Sequence, residues 1–223
     1  LKPDVVDHIV FITKDPSPML PFLPRVDKEY STSFQITITP YGKDIEPNVP
    51  DVSDVIESLK DVSRIIGPDR TIWRFDPILF TDGKYSQNAV LNSFEDMCQK
   101  LNGHTERCIF SFLDFYQKLD GALGDKGITL CDDKVGFVRQ MSLIAKSNGI
   151  RLSSCCDDLS KMDPYVCDIA CIDHASMRSW GVPYTKPSSP VRGGCKCVKV
   201  VDIGEYDTCS HDCLYCYANS SSS

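Results

Sequence analysis

The chain has 223 residues, 42% hydrophobic and 25% charged, with a net charge of −7. This composition suits a chain that buries a core in one large domain or two small ones. The acidic balance argues against general nucleic-acid binding, which needs an excess of lysine and arginine, and no apolar run approaches the length that crosses a bilayer. The N-terminus, Leu1-Lys2-Pro3-Asp4, has neither a signal-type apolar stretch nor a Met, and the chain stops in a serine run, Ser220 to Ser223. A cytoplasmic chain truncated at both ends is the expectation.

In chain order, Asp7 to Lys14 is a short apolar run ending in polar residues and reads as a strand. Ser33 to Thr39 alternates strictly, so a strand there puts Phe34, Ile36 and Ile38 on one face. Asp51 is placed as an N-cap, and Val52, Val55, Ile56, Leu59, Val62, Ile65 and Ile66 keep helical spacing up to Gly67-Pro68. Thr71 to Ile78 is the next strand. Leu91, Phe94, Cys98 and Leu101 mark a helix that stops near Gly103. Arg107 to Phe112 is a strand. Val135, Val138, Met141 and Ala145 mark a third helix stopped by Asn148-Gly149, and Ile150 to Cys155 is a strand. Cys197 to Gly204 reads as a final strand after a proline- and glycine-rich stretch.

Each helix stop is followed within a few residues by a strand, the rhythm of a parallel sheet with crossover helices. Polar residues recur where strands end: Thr13 and Lys14, Thr39 and Tyr41, Arg74 and Asp76, Ser111 and Asp114, Cys155 and Asp157. In (β/α) barrels the strand C-termini carry the active site. No GxGxxG follows the first strand, so a dinucleotide fold has no fingerprint. The fold expectation is an α/β chain with a parallel (β/α) barrel or partial barrel over residues 1–158. A cysteine-rich, loop-rich segment, 159–223, is packed on the same barrel.

Twelve cysteines are present, and nine of them lie between Cys155 and Cys216. Such a skewed distribution, in a chain rich in regular structure and lacking a signal peptide, favours metal or redox chemistry over a disulfide framework. Cys209, Cys213 and Cys216 follow a C-x3-C-x2-C spacing, so one loop can wrap one iron–sulfur cube and leave one iron without a protein ligand. Paired C-x2-C knuckles, the usual zinc spacing, are absent from that loop. Cys155, Cys171, Cys195 and Cys197, with Cys156 and Cys167 as spares, form a second constellation for another cluster or a zinc ion; buried structural thiols are the competing reading.

The loop from Cys209 to Cys216, with Tyr215 before its last cysteine, resembles the radical S-adenosylmethionine superfamily over about residues 198–219. That resemblance implies a four-iron four-sulfur cluster on the three cysteines. It also implies S-adenosylmethionine on the open iron, with Tyr215, Thr39 and Tyr41 as candidate cofactor contacts. The superfamily usually carries this loop near the N-terminus; a permuted barrel closed by the strand at Val198 accommodates its place here. Over nearly the whole chain, Ile12-Thr13-Lys14-Asp15-Pro16, Thr39-Pro40-Tyr41-Gly42, Trp73-Arg74-Phe75-Asp76-Pro77-Ile78, Gly194-Cys195-Lys196-Cys197 and Tyr215-Cys216-Tyr217-Ala218-Asn219 are similar to a bacterial domain-of-unknown-function family. It implies the barrel and the cluster but no reaction.

Arg74 and Asp76 lie two apart on a strand and so share a face. Facing a barrel interior, they would hold a carboxylate or a ribose; an internal ion pair is the plainer alternative. Gln35, Thr37 and Thr39 line the same interior. Lys14 is placed to neutralise a substrate anion, and Asp114 is a general-acid candidate where a pocket forms. Taken together, these residues lead to an iron–sulfur enzyme of the radical S-adenosylmethionine type acting on a small molecule or a protein. It would draw electrons from a flavodoxin or ferredoxin and have no membrane partner. The alternative is a non-catalytic zinc or electron-transfer iron–sulfur protein.

Overall fold

The computed structural model describes residues 2–113, 123, 126–155, 163–182, 195–216 and 218. Six strands form one parallel sheet: β1 (Ile9–Thr13), β2 (Thr32–Thr37), β3 (Thr71–Ile78), β5 (Arg107–Phe112), β7 (Arg151–Ser154) and β8 (Val166–Cys167). They pair in chain order, β1-β2-β3-β5-β7-β8, every pair parallel. β4 (Phe80–Thr81) and β6 (Ile128–Thr129) form a small antiparallel pair beside it.

The helices are α1 (Leu23–Glu29), α2 (Val52–Ile66), α3 (Gln87–Leu101), α4 (Lys134–Ser147) and α5 (His174–Ser179). Crossovers between neighbouring parallel strands are right-handed, so sequential pairing sends α1 to α4 to one side. Consecutive helices in that series touch one another, as this requires.

The pleat divides the sheet chemically. Phe34 and Ile36 on β2, Trp73 and Phe75 on β3, and Cys108 and Phe110 on β5 lie under the helices, all 1% exposed or less. Trp73 stacks on Phe94 of α3 with ring centroids 5.1 Å apart, and its indole N–H donates to the Ile38 carbonyl at 3.0 Å. The other face carries Gln35, Arg74, Asp76, Arg107, Ser111 and Ser153, by strand alternation. Pro77 cannot donate to the ladder, and the β3–β5 register shifts between Phe75 and Ile78, where it sits.

The α2 stripe forms with Val55, Ile56, Leu59, Val62 and Ile66 buried, whereas Ile65, read as part of it, is exposed because it lies off the buried face. Gly67, at φ 96, ends that helix in a conformation that favours glycine. The strands β3 and β5 have the bounds read from the sequence. The expected final strand at Cys197–Gly204 does not form. Val198 makes only an isolated bridge, its N–H donating to Ile172 O at 3.0 Å, while Val201 is 82% and Ile203 70% exposed. Asp202 accepts from the Gly204 N–H at 2.9 Å, a local turn that competes with ladder pairing.

Beyond β8 the chain turns back across the polar face. Arg107 grips this segment, bonding the carbonyls of Ile169 and Ala170 and pairing with Asp173 at 3.2 Å. Gln35 Nε2 donates to Cys171 O at 2.9 Å. Near the start of β1, His8 bonds Ser31 and Ser33 at 2.8 Å each and stacks on Trp180, just past α5, at 5.2 Å. Among the described residues no helix is long and apolar enough to cross a membrane.

Burial, reinforced by Arg70, holds the His8 imidazole down at about 4, against an ordinary 6.5. The unfolded chain therefore binds more protons between these values. The His8 contribution is complete above pH 6.5 and is lost as pH falls toward 4. Urea melts of the wild-type chain should show stability rising from pH 4 to 6.5, and His8→Gln should flatten that rise; an unchanged slope in the variant would remove His8 as its source.

Candidate metal centre at the sheet edge

Because the strands are parallel, their C-termini share one edge of the sheet. Lys14 follows β1, Thr39 lies just past β2, Asp76 and Ser111 stand near the ends of β3 and β5, and Cys155 follows β7. The sequence places polar residues at these positions, and the fold sets them along one edge.

The Cys209–Cys216 loop docks on that edge through the connection from β2 to α2. The Asn48 side-chain amide donates to Ser210 O and to Asp212 Oδ2, each at 2.9 Å, and its backbone N–H donates to His211 O at 3.1 Å. The Leu214 N–H donates to Ile45 O at 3.0 Å, and the Cys216 N–H donates to Cys213 O at 2.9 Å, closing a turn. Asp212 sits at φ 52 between the first two cysteines. Aspartate tolerates this conformation better than most residues, and the Asn48 bond holds its carboxylate.

Beneath the loop lies a buried polar knot. Glu46, only 4% exposed, accepts hydrogen bonds from the Tyr215 hydroxyl, the Thr39 hydroxyl and, at 3.0 Å, Lys14 Nζ. The Lys14 ammonium also lies 5.6 Å from the Tyr215 ring centroid, a cation–π contact. Burial, then the Glu46 charge, pushes the Tyr215 phenol well up, so it remains a donor. Glu46 is the functional-site residue that the sequence reading missed. Its one outward sign is an acidic residue inside an otherwise apolar and proline-bounded turn, Ile45-Glu46-Pro47.

Cys213 is half-buried above this knot. Burial pushes its thiol up to about 12, opposed by Lys14, and it feels the charges of Cys209 and Cys216. Cys209 is the exposed member.

Tyr41 is placed under the same loop. Its hydroxyl donates toward Pro77 O and Leu79 O and accepts from the Leu79 N–H at 2.7 Å, and its ring meets Tyr215 edge-on at 6.4 Å. Burial pushes its phenol far up. A cavity of about 170 Å³ opens between the end of β2 and the start of α2, bordered by Thr37, Thr39, Tyr41, Glu46 and Val52.

Arg74 and Asp76 form an ion pair, with Arg74 also donating to Gln35 Oε1 at 2.8 Å and Ser111 donating to Asp76. Burial works against the guanidinium charge, but Asp76 and the neighbouring Cys171 and Cys155 sulfurs more than offset it. The second constellation is therefore gathered beside Arg74. Neighbouring Cys155 and Cys197, together with burial, push the Cys171 thiol far up, and the Cys197 N–H donates to Cys195 Sγ at 3.5 Å. The neighbouring Cys171 thiol, against the effect of burial, draws the Cys197 thiol down to about 6. All eleven described cysteines are free thiols. Among the described residues no three or more histidine, cysteine, aspartate or glutamate side chains are grouped so that they could hold a metal ion. Asp114, Cys156 and Asp157 lie outside the described residues.

A family profile described as a domain of unknown function matches residues 1–218. The chain belongs to the DUF1848 family. No curated protein matches it at a significant level. The DUF1848 match spans both the sheet and the docked cysteine loop, so the two are parts of one family unit.

Replacing Glu46 by Ala leaves the Lys14 charge buried and unpaired. The expected cost is about 3–5 kcal/mol in a denaturant melt, with faster alkylation of Cys213 by mass spectrometry. Tyr215→Phe, which deletes a single hydrogen bond to a charged group, should cost about 1.5–3 kcal/mol. Equal losses from the two variants would show that Glu46 is not the centre of the knot.

Proposed function

We propose that this protein is an iron–sulfur enzyme of the radical S-adenosylmethionine type, with its cluster held by Cys209, Cys213 and Cys216 at the mouth of a (β/α) barrel. The carrying observation is the docking of the C-x3-C-x2-C loop onto the C-terminal edge of a parallel sheet, through the aromatic residue that precedes its last cysteine. Sequential strand order, helices on one side and a polar opposite face support a barrel-type arrangement, in which that edge is the catalytic one.

The donor chemistry suits the cluster: three cysteines within one eight-residue loop match three irons and leave the fourth for another ligand. When bound, such a cluster supplies the electron that cleaves S-adenosylmethionine into methionine and a deoxyadenosyl radical.

The residues of the chain supply position and polarity. Glu46, Lys14 and Thr39 fix Tyr215, and with it the turn from Cys213 to Cys216. Tyr41 supports the same ring from below. Arg74 and Asp76 offer a cation and a carboxylate on the adjacent polar face, suited to a substrate carboxylate or a ribose. The cavity at the end of β2, about 170 Å³, is smaller than the roughly 300–1,000 Å³ of cofactor-sized pockets, so a nucleoside-sized ligand would extend from it along that face. Cys209, the exposed thiol, marks the side on which a flavodoxin- or ferredoxin-type donor would approach. Cytoplasmic residence supplies the reducing setting such a cluster needs.

Anaerobic reconstitution with iron and sulfide should give a brown protein with broad absorbance at the blue end of the visible. Adding S-adenosylmethionine and dithionite should yield methionine and 5′-deoxyadenosine, and Cys213→Ala should abolish both colour and products. A brown protein that neither binds nor cleaves S-adenosylmethionine would sink the enzymatic reading in favour of an electron-transfer protein. A colourless zinc protein would sink the cluster as well.

A further inference from the structure

The knot under the cysteine loop leaves one buried polar atom without a partner. Every hydrogen bond that Glu46 accepts, from Lys14, Thr39 and Tyr215, ends on the same oxygen, Oε1. Among the described residues none bonds the other oxygen, Oε2, although the side chain is only 4% exposed. A buried carboxylate oxygen with no donor is costly, so its surroundings are where a donor from outside the chain belongs. Glu46 borders the cavity of about 170 Å³ between the end of β2 and the start of α2.

The donors around that cavity are already engaged. The Thr39 hydroxyl donates to Glu46, and the Tyr41 hydroxyl to the Pro77 and Leu79 carbonyls. The Lys43 ammonium bonds the Val49 carbonyl and pairs with Asp51 at 3.4 Å. The Gly42 N–H donates to the Tyr85 hydroxyl at 2.7 Å. Thr37 differs from these: its hydroxyl, on the same lining, has no partner among the described residues and can donate or accept.

The charges are engaged as well. Lys14 pairs with Glu46 at 3.0 Å, and Lys43 pairs with Asp51. A cationic ligand would therefore add an uncompensated charge beside a buried pair, and an anion would face the Glu46 carboxylate. A neutral ligand rich in donors meets both conditions, and hydroxyl groups are such donors. The remaining walls, Ile38, Pro40, Val49, Pro50 and Val52, are apolar and suit a carbon chain.

We infer that this cavity binds a small neutral polyol, one hydroxyl of which donates to Glu46 Oε2 while a second bonds the Thr37 hydroxyl. A cavity of about 150 Å³ takes benzene, so this one takes a polyol of about three to five carbons. Seated there, the polyol adjoins the polar face along which a larger cofactor would extend. Cys209, Cys213 and Cys216 take no part in holding it, so it should bind whether or not they carry a cluster.

Saturation-transfer NMR and calorimetry on the full chain test the site with erythritol and xylitol as probes. Both should bind at millimolar concentration. Dimethoxyethane, similar in size but without a donor, should not bind, and propylammonium should bind more weakly than either polyol. Thr37→Val keeps the shape and deletes one neutral hydrogen bond, so it should weaken erythritol about three- to tenfold. Val52→Phe, which fills the cavity from the α2 side, should abolish binding; if it does not fold, Thr37→Val and the series of probes decide. Dimethoxyethane binding as well as erythritol, propylammonium binding more tightly, or erythritol binding unchanged in folded Thr37→Val or Val52→Phe overturns the site. Displacement of erythritol by adenosine at equal concentration gives the cavity to a nucleoside and overturns it too. So does a folded wild-type chain that binds neither polyol, which leaves Oε2 to water. None of these readouts uses iron or S-adenosylmethionine, so failure here is distinguishable from failure of the enzymatic reading.

Discussion

The structure depends on the alternation of side chains across a parallel sheet whose strands pair in chain order. Sequential pairing with right-handed crossovers puts α1 to α4 on one side, so one set of alternate residues must be apolar and the other is released from that demand. Trp73, Phe75, Cys108 and Phe110 meet the first condition. Arg74, Asp76, Arg107 and Ser111, interleaved with them on the same strands, use the freedom of the second. The same parallelism aligns all strand C-termini, so residues as far apart as Lys14 and Cys155 belong to one edge without any local signal joining them.

A polar face within a fold is costly unless each group finds a partner, and the segment after β8 supplies many of those partners. Its carbonyls and Asp173 satisfy Arg107, and the Cys171 carbonyl takes the Gln35 amide. This explains why a stretch with so few apolar residues follows a defined path. Backbone polar groups that a loop normally turns to water are taken up here by long side chains rising from the sheet. A guanidinium such as that of Arg107 suits the task, because its fork of N–H donors can serve several acceptors at once.

Where periodicity was strong, the sequence was readable. The α2 stripe, the β3 and β5 strands and the glycine stops needed only local patterns, because burial on one side imposes a period that survives in composition. Short elements such as α1, α5 and β8 left no such trace, since a helix of two turns or a strand of two residues has too few positions to show one. The Cys197–Gly204 stretch misled for a related reason: its valines and isoleucine suit a strand intrinsically, but among the described residues no strand pairs with them, and strand propensity acts through such neighbours. The cysteine groups could be read as groups because ligand chemistry restricts residue type. Glu46 could not, because its meaning lies in Tyr215, distant in sequence and joined to it only in the fold.

The two thiol groups differ in a way that bears on their roles. The Cys209–Cys216 loop is local: its three sulfurs come from eight consecutive residues, it is anchored from one side by Asn48, Ile45 and Glu46, and it leaves Cys209 exposed. Such a loop can hold a large cofactor, because it adapts along its own length and keeps one side open. The Cys155, Cys171, Cys195 and Cys197 group is non-local, drawn from three stretches and enclosed by Arg74, Gln35 and Arg107. Both adjoin the same polar face, and Arg74 stands between their functions: its partner Asp76 lies at the edge where the loop docks, while its charge reaches Cys155 and Cys171.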